Sequence, residues 1–161
     1  MRKAGLFTFF ILGTLALAVC LTSCASGGGS GGKTDKTAAE LLDIVLDSVD
    51  FPQTVEVTEE ERLTDMGIDL TLTEEYAVVQ QMLSVDVVEV IILKAKDGET
   101  DKLVERLEDR KDALINEFAF YPEQVASANA TVVSSEKDVV YLICHVDAQT
   151  AEQQLIAAIN S

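Results

Sequence analysis

Residues 76–95 read YAVVQQMLSVDVVEVIILKA, and this stretch decides the fold. Two runs rich in β-branched and aliphatic residues, Tyr76 to Leu83 and Val87 to Ala95, flank Ser84-Val85-Asp86, a connection short enough for an antiparallel hairpin. Side chains alternate between the faces of a strand, so Val88, Val90 and Ile92 form one purely apolar set that must be core. The opposite set, Val87, Glu89, Ile91 and Leu93, is amphipathic. If the first helix of the domain covers it, it is ordinary core, the reading preferred here; uncovered, it would be an apolar patch and a partner site.

Outward from the hairpin the pattern changes period. After Asp97-Gly98 an amphipathic helix runs to about Phe118, with Leu103, Val104, Leu107, Leu114, Ile115 and Phe118 as its apolar stripe and Lys111 reaching outward. Tyr121-Pro122 reads as a break. A second hairpin follows, Val132 to Ser135 and Asp138 to Val146 about the turn Ser135-Glu136-Lys137. Asp147 then caps a helix whose inner face is Ala151, Leu155, Ile156 and Ile159. On the other side, Thr37-Ala38-Ala39-Glu40 is a capping box that opens a helix ended by Phe51-Pro52. Thr58-Glu59-Glu60-Glu61 opens a short second helix that stops at Met66-Gly67, and Ile68 to Thr73 has turn character. Each hairpin leads through an aspartate, Asp97 or Asp147, into a helix. The spacing predicts a single α+β domain over 37–161, in the order α-α-β-β-α-β-β-α, with a four-stranded, mainly antiparallel sheet and helices packed on it.

The first 24 residues are of another kind. Arg2 and Lys3 precede an apolar run from about Leu6 to Cys20, and small residues close it at Thr22 and Ser23. Leu21-Thr22-Ser23-Cys24 resembles the lipobox of bacterial lipoproteins. That resemblance implies a signal peptide over 1–23, cleavage before Cys24, and lipid (palmitate among its acyl chains) on Cys24, the one lipidation site. Ala25 to Gly32 is a flexible Gly/Ser tract suited to a tether, and 24–36 is assigned to anchor and linker. By random-coil scaling the tract spans only ~15 Å. The competing reading is an uncleaved transmembrane helix, which a basic flank would more often follow.

Composition narrows the partners. The chain has 28 acidic and 12 basic residues; without Arg2 and Lys3 the balance is 28 against 10, a net charge of −18. So acidic a surface argues against nucleic acid and against anionic lipid as partners. With Cys24 lipidated and Cys20 in the signal, Cys144 is the one thiol left, so no intramolecular disulfide forms and packing alone must stabilise the domain.

From about Thr37 to Ile159 the chain resembles family 4358 of the domains of unknown function, small lipoproteins of mainly Gram-positive anaerobic bacteria. The resemblance is carried by Met66-Gly67-Ile68, by Val90-Ile91-Ile92-Leu93-Lys94-Ala95-Lys96-Asp97, by Arg110, by Tyr121-Pro122-Glu123-Gln124-Val125 and by Asn129-Ala130. Members more often have an aromatic before the glycine, where this chain has Met66. The resemblance implies a small α+β domain behind a lipid anchor and brings no catalytic residue, cofactor or substrate.

Chemistry is sparse. Cys144 and His145 are adjacent on a strand, so they point to opposite faces and cannot form a nucleophile–base pair. Cys144 shares a register with Val140, Leu142 and Val146 and reads as a small buried hydrophobe; His145, with Tyr141, reads as structural. One histidine and one unlipidated thiol cannot build a zinc site, no elbow-like Gly-x-Ser-x-Gly occurs, no glycine-rich loop but the tether precedes a helix, and there is no Asp-x-Asp-x-Asp-Gly loop. Asp65/Asp69 and Glu74/Glu75 could attract cations only weakly. Lys102, Arg106 and Arg110 lie at i, i+4, i+8 and read either as part of a mixed, solvated face, the preferred reading, or as a basic strip for an acidic partner. No catalytic residue, metal or cofactor is therefore expected. The expectation is a non-enzymatic binding or interaction domain, anchored by lipid on the extracytoplasmic face of the cell membrane, with a protein or cell-envelope partner. The alternative is a small carboxylate-dependent cell-wall hydrolase, which needs two carboxyls flanking a groove.

Overall fold

A computed structural model describes residues 32–82 and 87–161. The expectations for the export signal, for Cys24 and for the hairpin turn Ser84-Val85-Asp86 lie outside the described residues. The described chain runs α1 (Ala38–Ser48), β1 (Thr54–Glu56), α2 (Glu60–Asp65), β2 (Thr73–Gln81), β3 (Glu89–Ala95), α3 (Thr100–Ala113), α4 (Pro122–Ala130), β4 (Val132–Glu136), β5 (Val139–Cys144) and α5 (Ala148–Ile159). A π-helical turn, Leu114–Phe118, continues α3.

The strands make one sheet in the order β1-β2-β3-β5-β4, every neighbouring pair antiparallel. In the central pairs Tyr76 lies opposite Leu93 and Gln80 opposite Glu89, while Glu89 also lies opposite Cys144. Both faces of this sheet are covered. Val90 and Ile92 of β3, with Val139, Tyr141 and Ile143 of β5, pack under α1 and α5 through Leu41, Leu42, Val45, Ala151, Leu155 and Ile159. Ile91 and Leu93, with Val140, Leu142 and Cys144, pack under Leu63 of α2, Leu103 and Leu107 of α3, and Leu114. The fold is thus α+β in three layers. Strands buried on both faces need apolar residues at consecutive positions, which is why Val90–Leu93 of β3 and Val139–Cys144 of β5 read as continuous apolar runs.

Two local signals work as the chemistry demands, at the start of α1 and the end of α2, whereas Thr58 makes no cap on α2, whose N-cap is Glu59 without a side-chain bond. Thr37 Oγ1 accepts from the Glu40 amide at 3.2 Å, and Glu40 Oε2 accepts from the Thr37 amide at 2.8 Å, closing the capping box of α1. At the end of α2, Gly67 has φ +81°, and its N–H donates to Thr64 O while that of Ile68 donates to Leu63 O. Those are the paired bonds of a left-handed helix stop, which a side chain at Gly67 would strain.

Several expectations are corrected. The sheet has five strands, not four, because β1 is a three-residue edge strand, Thr54-Val55-Glu56, too short to display a period. The expected element order lacks α4 as well. Tyr121-Pro122 starts a helix rather than breaking one, since proline at the first helical position gives up only an N–H that has no helical partner. The small residues Ala126, Ser127, Ala128 and Ala130 give α4 little of the amphipathic contrast that would reveal it. The Ile91/Leu93 face is covered, but by α2 and α3; α1 lies on the other face beside α5. Phe118 and Val146 are 45% and 53% exposed, outside the core assigned to them. The β4–β5 turn sits at Lys137-Asp138, with Lys137 at φ 53°, one residue later than expected.

Asp147 makes no side-chain cap on α5; the ring nitrogen Nδ1 of His145 instead accepts from the Asp147 amide at 3.1 Å. Nor does Asp97 cap α3; it pairs with Lys33 at 3.1 Å. Cys144 is fully buried on the α3 side of β5. A thiol reagent applied to the native protein should therefore modify Cys144 only as fast as the domain unfolds, and rapid labelling in native buffer would contradict that placement.

Candidate functional site

The most constructed polar arrangement lies where β3 begins. Glu89 is the first residue of β3 and shares the face of Ile91 and Leu93, so its carboxylate enters the layer beneath α3 with only 2% of the residue exposed. Arg110 meets it there. Leu103, Leu107, Arg110 and Leu114 fall at i, i+4, i+7 and i+11, one stripe of a helix, so Arg110 occupies a core position rather than the outer face. Its Nε donates to Glu89 Oε1 at 2.9 Å and its Nη2 to Oε2 at 2.7 Å, a bidentate pair.

The pair is extended across the sheet end. Gln80, opposite Glu89 on β2, donates from Nε2 to Glu89 Oε2 at 3.2 Å, and Arg62 of α2 donates from Nη2 to Gln80 Oε1. The Phe118 ring lies over Arg110, its centroid 5.1 Å from Cζ, and the π-helical turn that ends at Phe118 sets it there. Burial works against the Arg110 charge, yet the hydrogen bonds to Glu89 and the Glu89 charge outweigh it and hold the guanidinium above its ordinary pKa.

These groups line an open cleft of about 390 Å3, with Gln81, Val87, Val88, Leu114 and Gln124 completing its walls. Gln124 Oε1 accepts from the amides of Phe120 and Tyr121 at 2.9 and 3.2 Å and so shapes the turn beyond Phe118. Phe120 and Tyr121, on that turn, are 76% and 66% exposed. Gln81 Oε1 is buried and has no hydrogen-bond partner among the described residues.

The model of a family described as a domain of unknown function (DUF4358) matches residues 47–145. The chain belongs to this family. The match takes in all five strands, α2 to α4 and every residue named at the cleft, and leaves out most of α1 and all of α5. It is shorter than the likeness read from the sequence, which reached from Thr37 to Ile159. No curated protein and no solved structure matches the chain.

Within the DUF4358 domain the other singled-out residues fall apart from this cleft. Cys144 and His145 separate to opposite faces; His145 is buried, its ring 4.6 Å from that of Phe51. The Tyr141 hydroxyl donates to Glu152 Oε1 at 3.0 Å in the α1/α5 layer, and burial pushes its pKa well up. Asp69 is engaged by its own turn: the Thr71 hydroxyl and amide hold its carboxyl below the usual range. Glu74 takes Lys33 at 3.0 Å. No group of three or more His, Cys, Asp or Glu side chains among the described residues could hold a metal ion. The strip Lys102–Arg106–Arg110 does not exist as a docking face, because Lys102 pairs with Glu99 at 2.6 Å and Arg110 is turned inward to Glu89.

The chain enters the DUF4358 domain at the opposite end of the sheet. Lys94 Nζ donates to the carbonyls of Thr34 and Lys36 at 3.1 and 3.0 Å, and Asp138 Oδ1 accepts from the Thr34 amide at 2.8 Å. Glu89 and Lys94 stand five residues apart on β3, which is roughly 17 Å of strand.

Proposed function

We propose that the protein is an extracytoplasmic lipoprotein, held to the cell membrane by lipid on Cys24, that binds a cell-envelope partner in the cleft at the β3 end of its sheet and performs no catalysis. The observation that carries this reading is the polarity of the domain. Thr34, the first buried residue after the Gly/Ser tract, is pinned at one end of the sheet, and the cleft opens at the other. A tether of ~15 Å keeps the entry end near the membrane. The cleft then faces away from it, towards the envelope.

A hydrolase finds less support. Among the described residues that line it, the cleft offers one carboxylate, Glu89, and both its oxygens accept from Arg110, whereas a hydrolase needs a second carboxyl across the groove.

The test is hydrogen exchange on the purified protein with and without a purified envelope fraction. Added protection should concentrate at Gln80–Gln81 and between Arg110 and Gln124. Protection confined to the α1/α5 layer, or none anywhere, would remove the cleft from consideration.

A further inference from the structure

We infer that the outer edge of β4 receives an extended peptide segment of another protein, with apolar side chains on one side and lysine or arginine on the other. The site is separate from the cleft: β4 is the last strand of the sheet, and none of its residues lines the cleft. The direction of the backbone groups follows from one bond. The Ala95 N–H donates to Asp138 O at 2.8 Å, so Lys94 and Val139 face each other as a non-hydrogen-bonded pair. Val139 therefore turns its own N–H and C=O away from β3, towards Glu136 of β4. Along β4 the direction alternates: Glu136, Ser134 and Val132 bond to β5, and Val133 and Ser135 point outward. No further strand pairs with β4, and α3 and α5 lie over its two faces rather than along its edge. Two N–H and two C=O groups thus meet no partner among the described residues. Exposed edges are ordinarily blunted by proline, lysine, a bulge or shortness. The opposite edge, β1, is three residues long, whereas β4 runs for five in unbroken register with none of those devices.

The flanks of the edge select the occupant. A strand paired antiparallel with β4, like every other pair in this sheet, places the residues opposite Val133 and Ser135 on the α3 side. Arg106 and Asp109 turn to the end of α2, so the other flank of α3, with Val104 and Ile115, lies towards β4. On that flank Glu108 and Lys111 pair at 3.6 Å and leave no net charge. Apolar side chains fit there. The residues opposite Val132, Ser134 and Glu136 lie on the α5 side. Glu152 accepts from the Tyr141 hydroxyl there and Glu136 from the Asn160 amide at 3.1 Å, both neutral donors, and neither carboxylate has an ion-pair partner among the described residues. Lysine or arginine on the occupant supplies the missing charge, on a chain whose net charge is −16. A second copy fits less well. Two β4 strands that satisfy all four groups of each other run antiparallel about Ser134. That pairing sets the second copy's chain entry beside this copy's cleft end, against the shared membrane side that the proposed anchor imposes.

The experiment titrates the purified protein, by calorimetry, with acetyl-lysyl-valyl-lysyl-valyl-lysine amide, whose two valines match Val133 and Ser135. The peptide should bind and should slow hydrogen exchange at Val133 and Ser135. The same peptide methylated on both valine nitrogens keeps every side chain and loses the N–H donors; it should bind at least about tenfold more weakly. The peptide with glutamate for lysine should lose a similar factor. Ser135→Pro deletes an outward N–H that β5 does not use, so it should weaken binding alike with the melting temperature unchanged. No binding of the parent peptide, equal binding of its methylated form, or undiminished binding by a folded Ser135→Pro protein would each overturn the edge. The methylated peptide decides even if the proline variant fails to fold. Equal binding of the lysine and glutamate peptides would overturn the charge assignment. A dimer in sedimentation that Ser135→Pro dissolves would put a second copy in place of the peptide. Protection by the envelope fraction at Gln80–Gln81, with no peptide effect at Val133 and Ser135, would sink this inference and leave the cleft reading standing.

Discussion

Replacing Glu89 with alanine should destabilise the domain by roughly 3–5 kcal/mol, the cost of leaving a buried guanidinium without its counter-charge. Glu89 is 2% exposed and the Arg110 side chain 11%, so water cannot take over the bonds that the carboxylate makes. The pair lies between β3 and α3, the two elements whose packing closes that layer, and Glu89 is the one acid among the described residues that line the cleft. The loss should therefore be global, visible as a lower denaturant midpoint by both far-ultraviolet and near-ultraviolet signals. Removing both charges tests the explanation. Glu89→Leu combined with Arg110→Met eliminates the stranded charge and should recover most of the lost stability, as buried ion pairs replaced whole by apolar groups often do. A Glu89→Ala protein that loses less than about 1 kcal/mol would mean the pair is effectively solvated, in the range of surface pairs.

Much of the architecture was legible because apolar periodicity and backbone chemistry specify it locally. Thr37 and Glu40 marked the start of α1, Gly67 the end of α2, and the aliphatic runs of β2, β3 and β5 marked the sheet. Cys144 was placed correctly by the alternation of a strand alone. The misses have physical causes too. β1 owes its existence to pairing with Gln81, Gln80 and Val79, a tertiary fact that three residues cannot encode. The cleft was missed because Arg110 was grouped with Lys102 and Arg106 by its charge. Grouped by its position, it continues the stripe of Leu103 and Leu107, just as Glu89 continues the register of Ile91 and Leu93. A charge at an apolar position in each of two packed elements is the signal of a buried pair, and both were present in the sequence. Gln81 and the placement of Phe118 over Arg110 carried no such signal, since the π-helical turn that sets the ring is not a matter of local propensity.

Cys24→Ser should abolish lipid incorporation and remove the protein from the membrane fraction. On the proposed reading, the described residues offer no other hold on the membrane. Without residues 1–23 the net charge would be −18, which opposes an anionic surface, and the described basic residues nearest the N-terminal end of the domain are already engaged. Lys33 pairs with Glu74 and Asp97, and Lys36 Nζ donates to the Ser161 hydroxyl at 2.6 Å. No helix among the described residues is long and apolar enough to cross a membrane. Against this, each buried methylene of an acyl chain contributes ~0.8 kcal/mol, so acyl chains on Cys24 would be a far stronger hold than the contacts of the described residues. The measurement is labelling with a radioactive fatty acid, followed by fractionation of cells carrying the wild-type or Cys24→Ser protein. An uncleaved N-terminal helix makes the opposite forecast: the serine variant would stay in the membrane, at its precursor mass, with its signal helix still inserted. Retention in that form, or label that persists without Cys24, would replace the lipid anchor by a spanning one. The domain's entry end would still face the membrane, and the cleft would still open away from it.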